Sequence, residues 1–468
     1  MLNWLFNVFN GRKRARLGHI PGPTPRFPFG TAPEFLGPWP WELCAEYGQR
    51  YGGITLVWIF NKPAIVLNDP ELIGEVLDTR AEDFYKDSPV RALAPVITPG
   101  SLFITNFGRG WAQARQENPF STVAYEEWLT RQVEPLWAVV SETVKAWIDR
   151  SADGPLDMYW EMQRLMFDAF SRAFWGRTFP RDRFNWFQTL ARTGNRRMAI
   201  PKPILPPLSP FFYPARRNWY SSFQKLVAET RRNPDPTAPD LLNCCLSRGT
   251  PLTDAALAEA LATNFFGGVF SCSSTVNTAL YLLAKHPAEG AKLAHVVRNG
   301  LPANFDRAAL DSCRPLEFVI REAMRYYPAV PIYFRNSAPD RAVALGSHSL
   351  PPDTLIFISN WYLHKLAPHW HEPEKFDPAR WDNGGAEANP YGSGHFFPFG
   401  RGPRACIGAA FGQFVHRLVL ATIYRASEPE VDTARTYKQS FFFGVMMPKG
   451  VAARFRPRAG LRPSRVDS

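Results

Sequence analysis

The distribution of apolar and polar residues predicts a mostly helical chain with small β-sheets. From about residue 120 to 300 the apolar positions recur at helical spacing, with one long interruption. Residues 53–59 and 63–67 are short apolar runs typical of strands, and a further strand region is predicted over 439–455. No internal repeat divides the chain. The pattern therefore predicts a single, mainly α-helical domain.

A long helix is predicted in the middle of the chain. Thr253 is suited to cap its N-terminus, and Asp254 follows in the first turn, where negative charge is favourable. The helix is expected to end at His286, because Pro287 restricts the residue before it. Another helix is expected beyond Gly408.

The interruption of the helical region spans 201–214 and contains six prolines among apolar residues. Proline at this density is incompatible with a helix interior, so the segment is predicted to be an apolar loop. Two interpretations are open: a loop packed on the protein surface, or a loop that touches a membrane or gates substrate entry.

The N-terminal segment, residues 1–19, is predicted to be an amphipathic and basic tail, separate from a domain that spans 20–468. Leu2, Leu5, Phe6 and Phe9 share one helical face, and a basic cluster follows at 12–16. The segment is either a peripheral membrane anchor or a frayed tail or helix docked on the body. No run in the chain reaches the ~18 apolar residues that cross a bilayer.

The net charge and the cysteines indicate which classes of partner and which location are expected. The net charge of +12 favours an acidic partner, and no nucleic-acid-binding motif accompanies the dispersed basic residues, so nucleic acid is not expected. The six cysteines form no spaced framework, which favours reduced thiols and a cytoplasmic location. Membrane contact through the N-terminal segment remains the alternative location.

The strongest chemical signal is the segment 399–408, which reads Phe-Gly-Arg-Gly-Pro-Arg-Ala-Cys-Ile-Gly. A thiolate that binds iron must be held rigidly among hydrogen-bond donors, and glycines let backbone N–H groups approach the sulfur. Cys406 is placed to open a helix, whose positive end favours the thiolate. The segment predicts that Cys406 is the axial ligand of a haem iron, with Phe399, Arg404 and Gly408 around the haem.

These residues resemble the cysteine signature of the cytochrome P450 family, and the resemblance extends from about Ile20 to the C-terminus. Glu322-Ala323-Met324-Arg325 matches the family's Glu-x-x-Arg helix, and Arg380 matches the third member of its structural triad. Glu and Arg three residues apart share a helix face. The resemblance implies a triad that supports the cysteine loop.

The resemblance also implies residues that hold the haem propionates and residues that line a substrate pocket. The propionate set is Trp111 and Arg115, which share a helix face at i, i+4 spacing, together with Arg335 and Arg404. His364 is expected to be structural. The pocket is expected from regions 88–107, 330–333 and 443–447 and the central helix. The pocket residues assigned individually are Phe266, Gly267, Phe270, Val330, Ile332 and Val445.

The central helix departs from the family pattern. The family carries an acid followed by an alcohol, which help to deliver protons to iron-bound oxygen; here Phe270 falls at the acid position and Ser271 at the alcohol. Phe270 cannot relay a proton. Two explanations are open. In the first, protons reach iron-bound oxygen through water and Ser271, with Thr275 one turn further along the helix. In the second, the reaction does not require dioxygen activation. No Asp or Glu occurs from Leu261 to Pro287, so the acid is missing in any register.

The function expected from this resemblance is a cytochrome P450-type monooxygenase with haem b, in secondary metabolism. It would use dioxygen and electrons from a separate donor (a ferredoxin, a flavodoxin or a flavin reductase) on a hydrophobic or aromatic small molecule. Oxygen insertion and oxidative coupling are both open. The rivals are a peroxygenase, isomerase or lyase of the same fold, a catalytically silent haem-binding protein, and a helical protein without haem. A monomer is expected, and basic residues such as Arg109, Arg401 and Arg417 would face an acidic redox partner.

Overall fold

The structure is a computed structural model that describes residues 3–36, 39–86, 88–98, 101–106, 108–123, 125–199, 208–382, 394–434, 438–442 and 444–458. Within these residues the chain folds into eighteen α-helices and twelve short strands. The helices are α1 (Asn3–Leu17), α2 (Pro40–Tyr51), α3 (Pro70–Gly74), α4 (Ser88–Arg91), α5 (Arg109–Gln116), α6 (Pro119–Thr122), α7 (Tyr125–Thr130), α8 (Val133–Arg150), α9 (Met158–Trp175), α10 (Arg181–Ala199), α11 (Phe212–Arg232), α12 (Leu241–Ser247), α13 (Asp254–Lys285), α14 (Pro287–Asn299), α15 (Arg307–Ser312), α16 (Arg314–Tyr326), α17 (Asn360–Leu363) and α18 (Ala409–Ala426).

The strands form four small sheets in the part of the chain that the structure describes. The largest has the order β1-β2-β8-β5-β3, in which β2 and β8 are parallel and the other pairs antiparallel. The others are the hairpins β10-β11 and β6-β7 and the three-stranded sheet β4-β12-β9. The strands are β1 (Ile54–Ile59), β2 (Lys62–Leu67), β3 (Phe84–Tyr85), β4 (Leu156–Asp157), β5 (Ile332–Ser337), β6 (Val343–Leu345), β7 (His348–Leu350), β8 (Leu355–Ser359), β9 (Ser427–Val431), β10 (Lys438–Phe442), β11 (Val445–Lys449) and β12 (Ala452–Pro457).

The centre of the fold is α13, and its predicted ends are confirmed. The Thr253 hydroxyl accepts the Ala256 N–H at 3.2 Å, and His286 follows the last helical residue, just before Pro287. The helix packs on α9, α11, α16, α18 and β11. It is long and apolar enough to cross a bilayer, but most of its residues are buried in the core of the protein.

The proline-rich loop ends earlier than predicted. Its residues 201–207 lie outside the described residues, but α11 begins at Phe212 and includes Pro214 in its first turn. The prediction of non-helical structure through Pro214 was therefore wrong. Proline is tolerated there because the first-turn N–H groups have no intrahelical partner.

The N-terminal helix α1 is docked on the body through its apolar residues. Phe6 is buried edge-on against Trp58 with ring centroids 5.2 Å apart, and Leu17 and Ile20 are buried in the same cluster. The Lys13 ammonium donates to the Asn61 carbonyl at 3.2 Å. Leu2 and the side chains of Leu5 and Phe9 lie outside the described residues. A docked helix is thus the observed arrangement, and membrane contact stays a prediction.

Candidate active site

The cysteine loop precedes α18 and holds Cys406 at its end. The Cys406 N–H donates to the Phe399 carbonyl at 2.8 Å, and Gly408 caps the helix that begins at Ala409. Burial raises the pKa of the Cys406 thiol, whereas the Gly408 N–H and the charge of Arg115 lower it. The side chain nevertheless has accessible surface. Its sulfur therefore faces an internal space and carries hydrogen-bond support from the backbone.

Glycines shape this loop at two positions of left-handed backbone. Gly400 and Gly402 both have φ of 70°, a conformation that costs L-residues about 1–2 kcal/mol. A Cβ on Gly402 would also collide with the Leu77 carbonyl. The cysteine loop can therefore approach Leu77 and Asp78 this closely only with glycine at position 402.

We expect Gly402→Ala to destabilise the protein and reduce its haem content. The cost should exceed the left-handed penalty by about 2 kcal/mol or more, since the collision adds to it. Gly249→Ala is the matched control, because Gly249 has φ of 71° and no heavy atom near an added Cβ. Denaturation midpoints and the haem-to-protein ratio measure both effects. Equal losses in the two variants would contradict the steric account.

Three guanidinium groups converge beside the cysteine loop. Burial, with Arg335 and Arg115 nearby, lowers the pKa of Arg404 to about 9. Arg404 donates to the Thr105 carbonyl at 2.9 Å, and Arg115 donates to the Ala405 carbonyl at 3.3 Å. The Trp111 ring lies under both Arg404 and Arg115, at 5.1 and 5.8 Å from its centroid. Mutually repelling buried cations form a site for bound anions, and carboxylates suit guanidinium groups.

The central helix presents one open face to the interior. Gly267 is exposed although its neighbours Phe265, Phe266 and Val269 are buried, and an added Cβ there would meet no atom within 4 Å. Ser271, one turn later, is partly exposed on the same face. Cys272 is buried near α18 and close enough to Cys406 for the two to interact electrostatically. The open face and the cysteine loop are thus neighbours.

Two hydroxyls continue along this helix. Ser271 donates to the Gly267 carbonyl at 2.8 Å, and Thr275 donates to the Ser271 carbonyl at 3.1 Å. Thr275 itself is buried. Towards the N-terminal end, Asn264 exchanges amide hydrogen bonds with Asn118 at 3.0 and 3.4 Å. The open face therefore carries polar groups on both sides of Gly267.

Three residues assigned to the substrate pocket have buried side chains that pack against other parts of the fold. Phe266 and Phe270 are buried and stack on Phe187 of α10 at 4.8 and 4.9 Å. Ile332 is buried with Trp41 and other residues beneath the large sheet. In a strand, alternate residues face opposite sides, so Ile332 turns away from the side that Arg335 and Tyr333 occupy.

The other three residues assigned to the pocket are Gly267, Val330 and Val445. Gly267 is open, Val330 is half-buried and its carbonyl accepts from Asn360 at 3.1 Å, and Val445 is buried opposite Phe442 in the β10-β11 hairpin. Phe443 and Phe107, in the predicted pocket segments, lie outside the described residues.

The structure brings the residues of the predicted triad together. Glu322 pairs with Arg325 at 2.9 Å and with Arg380 at 3.1 Å, and it also accepts the Trp381 indole N–H at 3.0 Å. Arg325 donates to the carbonyls of His364, Pro373 and Lys375. Every group that contacts the Glu322 carboxylate is a hydrogen-bond donor. The triad therefore links α16 to the irregular segment before the cysteine loop.

His364 is part of this support. It is fully buried, burial lowers its pKa to about 3, and its Nε2 accepts the Phe397 N–H at 3.3 Å. A neutral, buried imidazole bound to the backbone has a structural role.

Tyr333 lies in the predicted pocket region 330–333, but the sequence did not assign it an individual role. Its hydroxyl donates to the Phe397 and Pro398 carbonyls at 3.0 and 3.2 Å, directly before the cysteine loop. The two-residue alternation that places Arg335 near the loop also places Tyr333 there, and this was the available signal.

Two of the three arginines expected at a redox-partner surface have carboxylate partners within the chain. Arg401 pairs with Asp78, and Arg417 pairs with Asp311 at 2.5 Å. Arg109 is exposed at the start of α5. Of this set, Arg109 is the better candidate for an intermolecular contact.

A supported cysteine in an internal space, a convergent arginine cluster and a polar open face on the central helix define a haem-thiolate site. Comparison with known proteins agrees. The family model described as cytochrome P450 matches residues 20–452, so the chain belongs to the cytochrome P450 family. It is a cytochrome P450-type monooxygenase that binds haem b.

Named relatives share the whole domain. The chain is 26% identical to cytochrome P450 734A6 of Oryza sativa subsp. japonica, over 90% of this chain and 82% of that protein. It is 23% identical to flavonoid 3',5'-hydroxylase CYP75B138 of Crocosmia x crocosmiiflora, over 98% and 95%. The crystal structure of the cytochrome P450 CYP102L1 has the same fold, with a TM-score of 0.76 and 22% identity over 89% of this chain and 98% of that one.

Proposed function

We propose that the chain inserts oxygen from dioxygen into a hydrophobic or aromatic small molecule, with electrons from a separate redox protein. The observation that carries this proposal is the open face of α13, where Gly267 leaves space and Ser271 supplies a hydroxyl beside the cysteine loop. When bound, the haem supplies the reduction of dioxygen and the oxidation of substrate. A hydroxylase among the relatives supports oxygen insertion.

The protein's own residues hold the haem and set its chemistry in this proposal. Cys406 is the thiolate ligand, and the Gly408 N–H moderates its electron donation. Arg115, Arg335 and Arg404 hold the propionates, with Trp111 packed beneath two of the guanidinium groups. Burial, followed by the charges of Arg335 and Arg115, lowers the pKa of Arg404, and bound propionates would offset the repulsion among the three cations. Phe399 packs against Gly412 at the start of α18 and would border the haem.

Proton delivery is assigned to Ser271 and water on the open face. The Phe270 side chain is buried in the aromatic cluster with Phe187 and Phe442, so it places no proton-carrying group beside this face. Ser271 already donates within the helix and can accept a hydrogen bond from water. Thr275 orients the Ser271 carbonyl one turn further on.

Ser271→Ala should therefore uncouple electron use from product formation. We expect product formed per electron pair to fall about a hundredfold, the lower end of the contribution of a single acid–base group, with the electrons released as hydrogen peroxide. Ser273→Ala is the control, because the Ser273 hydroxyl is buried and donates to Val269 at 2.6 Å on the opposite side. Peroxide and product are quantified in the same reaction. Unchanged coupling in Ser271→Ala would remove this residue from proton delivery.

A second function is a peroxide-dependent or rearranging enzyme, favoured by the absence of any acid from Leu261 to Pro287. Turnover with a surrogate reductase, reductant and catalase separates the two. Catalase removes free peroxide, so product formed in its presence supports reductive use of dioxygen. Product formed only with added peroxide would support the second function.

A further inference from the structure

A surface groove lies on the side of α13 that carries the aromatic cluster. It has a cavity volume of about 390 Å³, in the size range of small-molecule sites. Its walls come from the start of α9, from α10 and from the strands β10 and β11. The residues that line it are Asp157, Tyr159, Trp160, Arg192, Phe442, Lys449 and Gly450.

Aromatic rings form the apolar part of the groove. Tyr159 and Trp160 meet edge to face with centroids 4.9 Å apart, and 40% of Trp160 is exposed. Phe442 contacts Phe270 edge-on at 5.1 Å. The rings of Phe442 and Phe270 therefore separate the groove from the open face of α13, and the groove is a site distinct from the haem pocket.

Two cations border these rings. The Arg192 guanidinium lies over Trp160 at 5.6 Å, and the Lys449 ammonium lies over Tyr159 at 5.4 Å. A ring attracts a cation without neutralising its charge. In the described part of the chain, neither cation forms an ion pair with a carboxylate within 4.0 Å. Asp157 is the acid in the groove, and it accepts the Tyr159 N–H as the cap of α9. The local charge is thus positive by one unit.

We infer that this groove binds a small aromatic carboxylate. The flat rings of Trp160, Tyr159 and Phe442 suit an aromatic body, and Arg192 and Lys449 suit the carboxylate at its edge. A neutral aromatic molecule would leave both cations without an anion, and an aliphatic anion would leave the rings in water. The groove should therefore prefer a molecule that has both an aromatic ring and a carboxylate.

The test uses the haem-loaded full-length protein and 2-naphthoate as the probe, measured by isothermal titration calorimetry. The haem pocket is first saturated with 4-phenylimidazole, whose spectral shift reports that the pocket is blocked. We expect 2-naphthoate to bind one further site and 2-naphthamide, which lacks the charge, to bind at least about tenfold more weakly.

Variants locate that site. Arg192→Met and Lys449→Met should each weaken 2-naphthoate by at least about tenfold, as expected for loss of a charged hydrogen bond, and Lys449→Arg should retain binding. Lys145→Met is the matched control, because Lys145 is an exposed cation on α8. Circular dichroism confirms that each variant is folded. Absence of binding after the azole block, equal binding of the amide, or unchanged affinity in both methionine variants would overturn the inference.

Discussion

Replacing Cys406 by serine is expected to abolish the thiolate-type absorption of the reduced carbon monoxide complex and to reduce turnover at least about a thousandfold. The reason is electronic: an alcohol does not donate electron density to iron as a thiolate does, and that donation promotes O–O cleavage. The loop itself should persist, because the Cys406 N–H still donates to the Phe399 carbonyl and a serine hydroxyl can accept the Gly408 N–H in place of the sulfur. Absorption spectra and product yield measure the change.

Cys272→Ala is the control for this variant. Cys272 is the other thiol near the cysteine loop, but it is buried in α13, and burial raises its pKa. A thiol that resists ionisation and packs near Gly412 is not poised to bind iron. We expect Cys272→Ala to keep the thiolate-type spectrum. Retention of that spectrum in Cys406→Ser would contradict the assignment of the ligand.

The largest loss of stability is expected from Glu322→Gln. The carboxylate is completely buried between Arg325 and Arg380, and it accepts hydrogen bonds from four groups in two segments of the chain, α16 and residues 377–381. Removing its charge leaves two guanidinium groups in the core without their counterion. Loss of one partner from a buried pair costs about 3–5 kcal/mol. Chemical denaturation and the yield of haem-loaded protein measure this loss.

Glu317→Gln provides the comparison on the same helix. Glu317 pairs with Arg321 one turn apart, but both side chains retain some exposure to solvent. Contact with water lowers the cost of an uncompensated charge there, so Glu317→Gln should cost less than Glu322→Gln, although more than the about 0–1 kcal/mol of a fully exposed pair. If the two glutamine variants lost similar stability, the triad would be a surface-like ion pair and would not secure the cysteine loop.

The parts of the site that sequence could predict are those carried by short-range spacing. The cysteine loop has its glycines at fixed offsets from Cys406, and the ends of α13 are set by Thr253 and Pro287. Glu322 and Arg325 share a helix face by their separation alone. Such features need no knowledge of the tertiary structure.

The orientation of α13 was not predictable in the same way. The helix is buried on nearly all sides, so its apolar residues do not mark a single face. Phe266 and Phe270 were assigned to the pocket because the resemblance implies that the central helix lines it, and the structure adds that both stack on Phe187 from another helix. Gly267 marks the open face, because it leaves space where other residues pack.

Ion pairs between distant parts of the chain could not be predicted from the sequence either. Arg401 meets Asp78 and Arg417 meets Asp311 over long separations, which only the tertiary structure determines. The direction of the Ile332 side chain could have been predicted locally, because the alternation along β5 places Ile332 and Arg335 on opposite sides of the strand.

We propose that this haem-thiolate site inserts oxygen from dioxygen although the central helix has no acid from Leu261 onward. The most direct measurement is turnover under ¹⁸O₂ with a surrogate reductase, reductant and catalase, followed by mass spectrometry of the product. The account predicts a product that carries one ¹⁸O atom, with labelled oxygen absent when the reductant is omitted. An unlabelled product formed in the same reaction would contradict it.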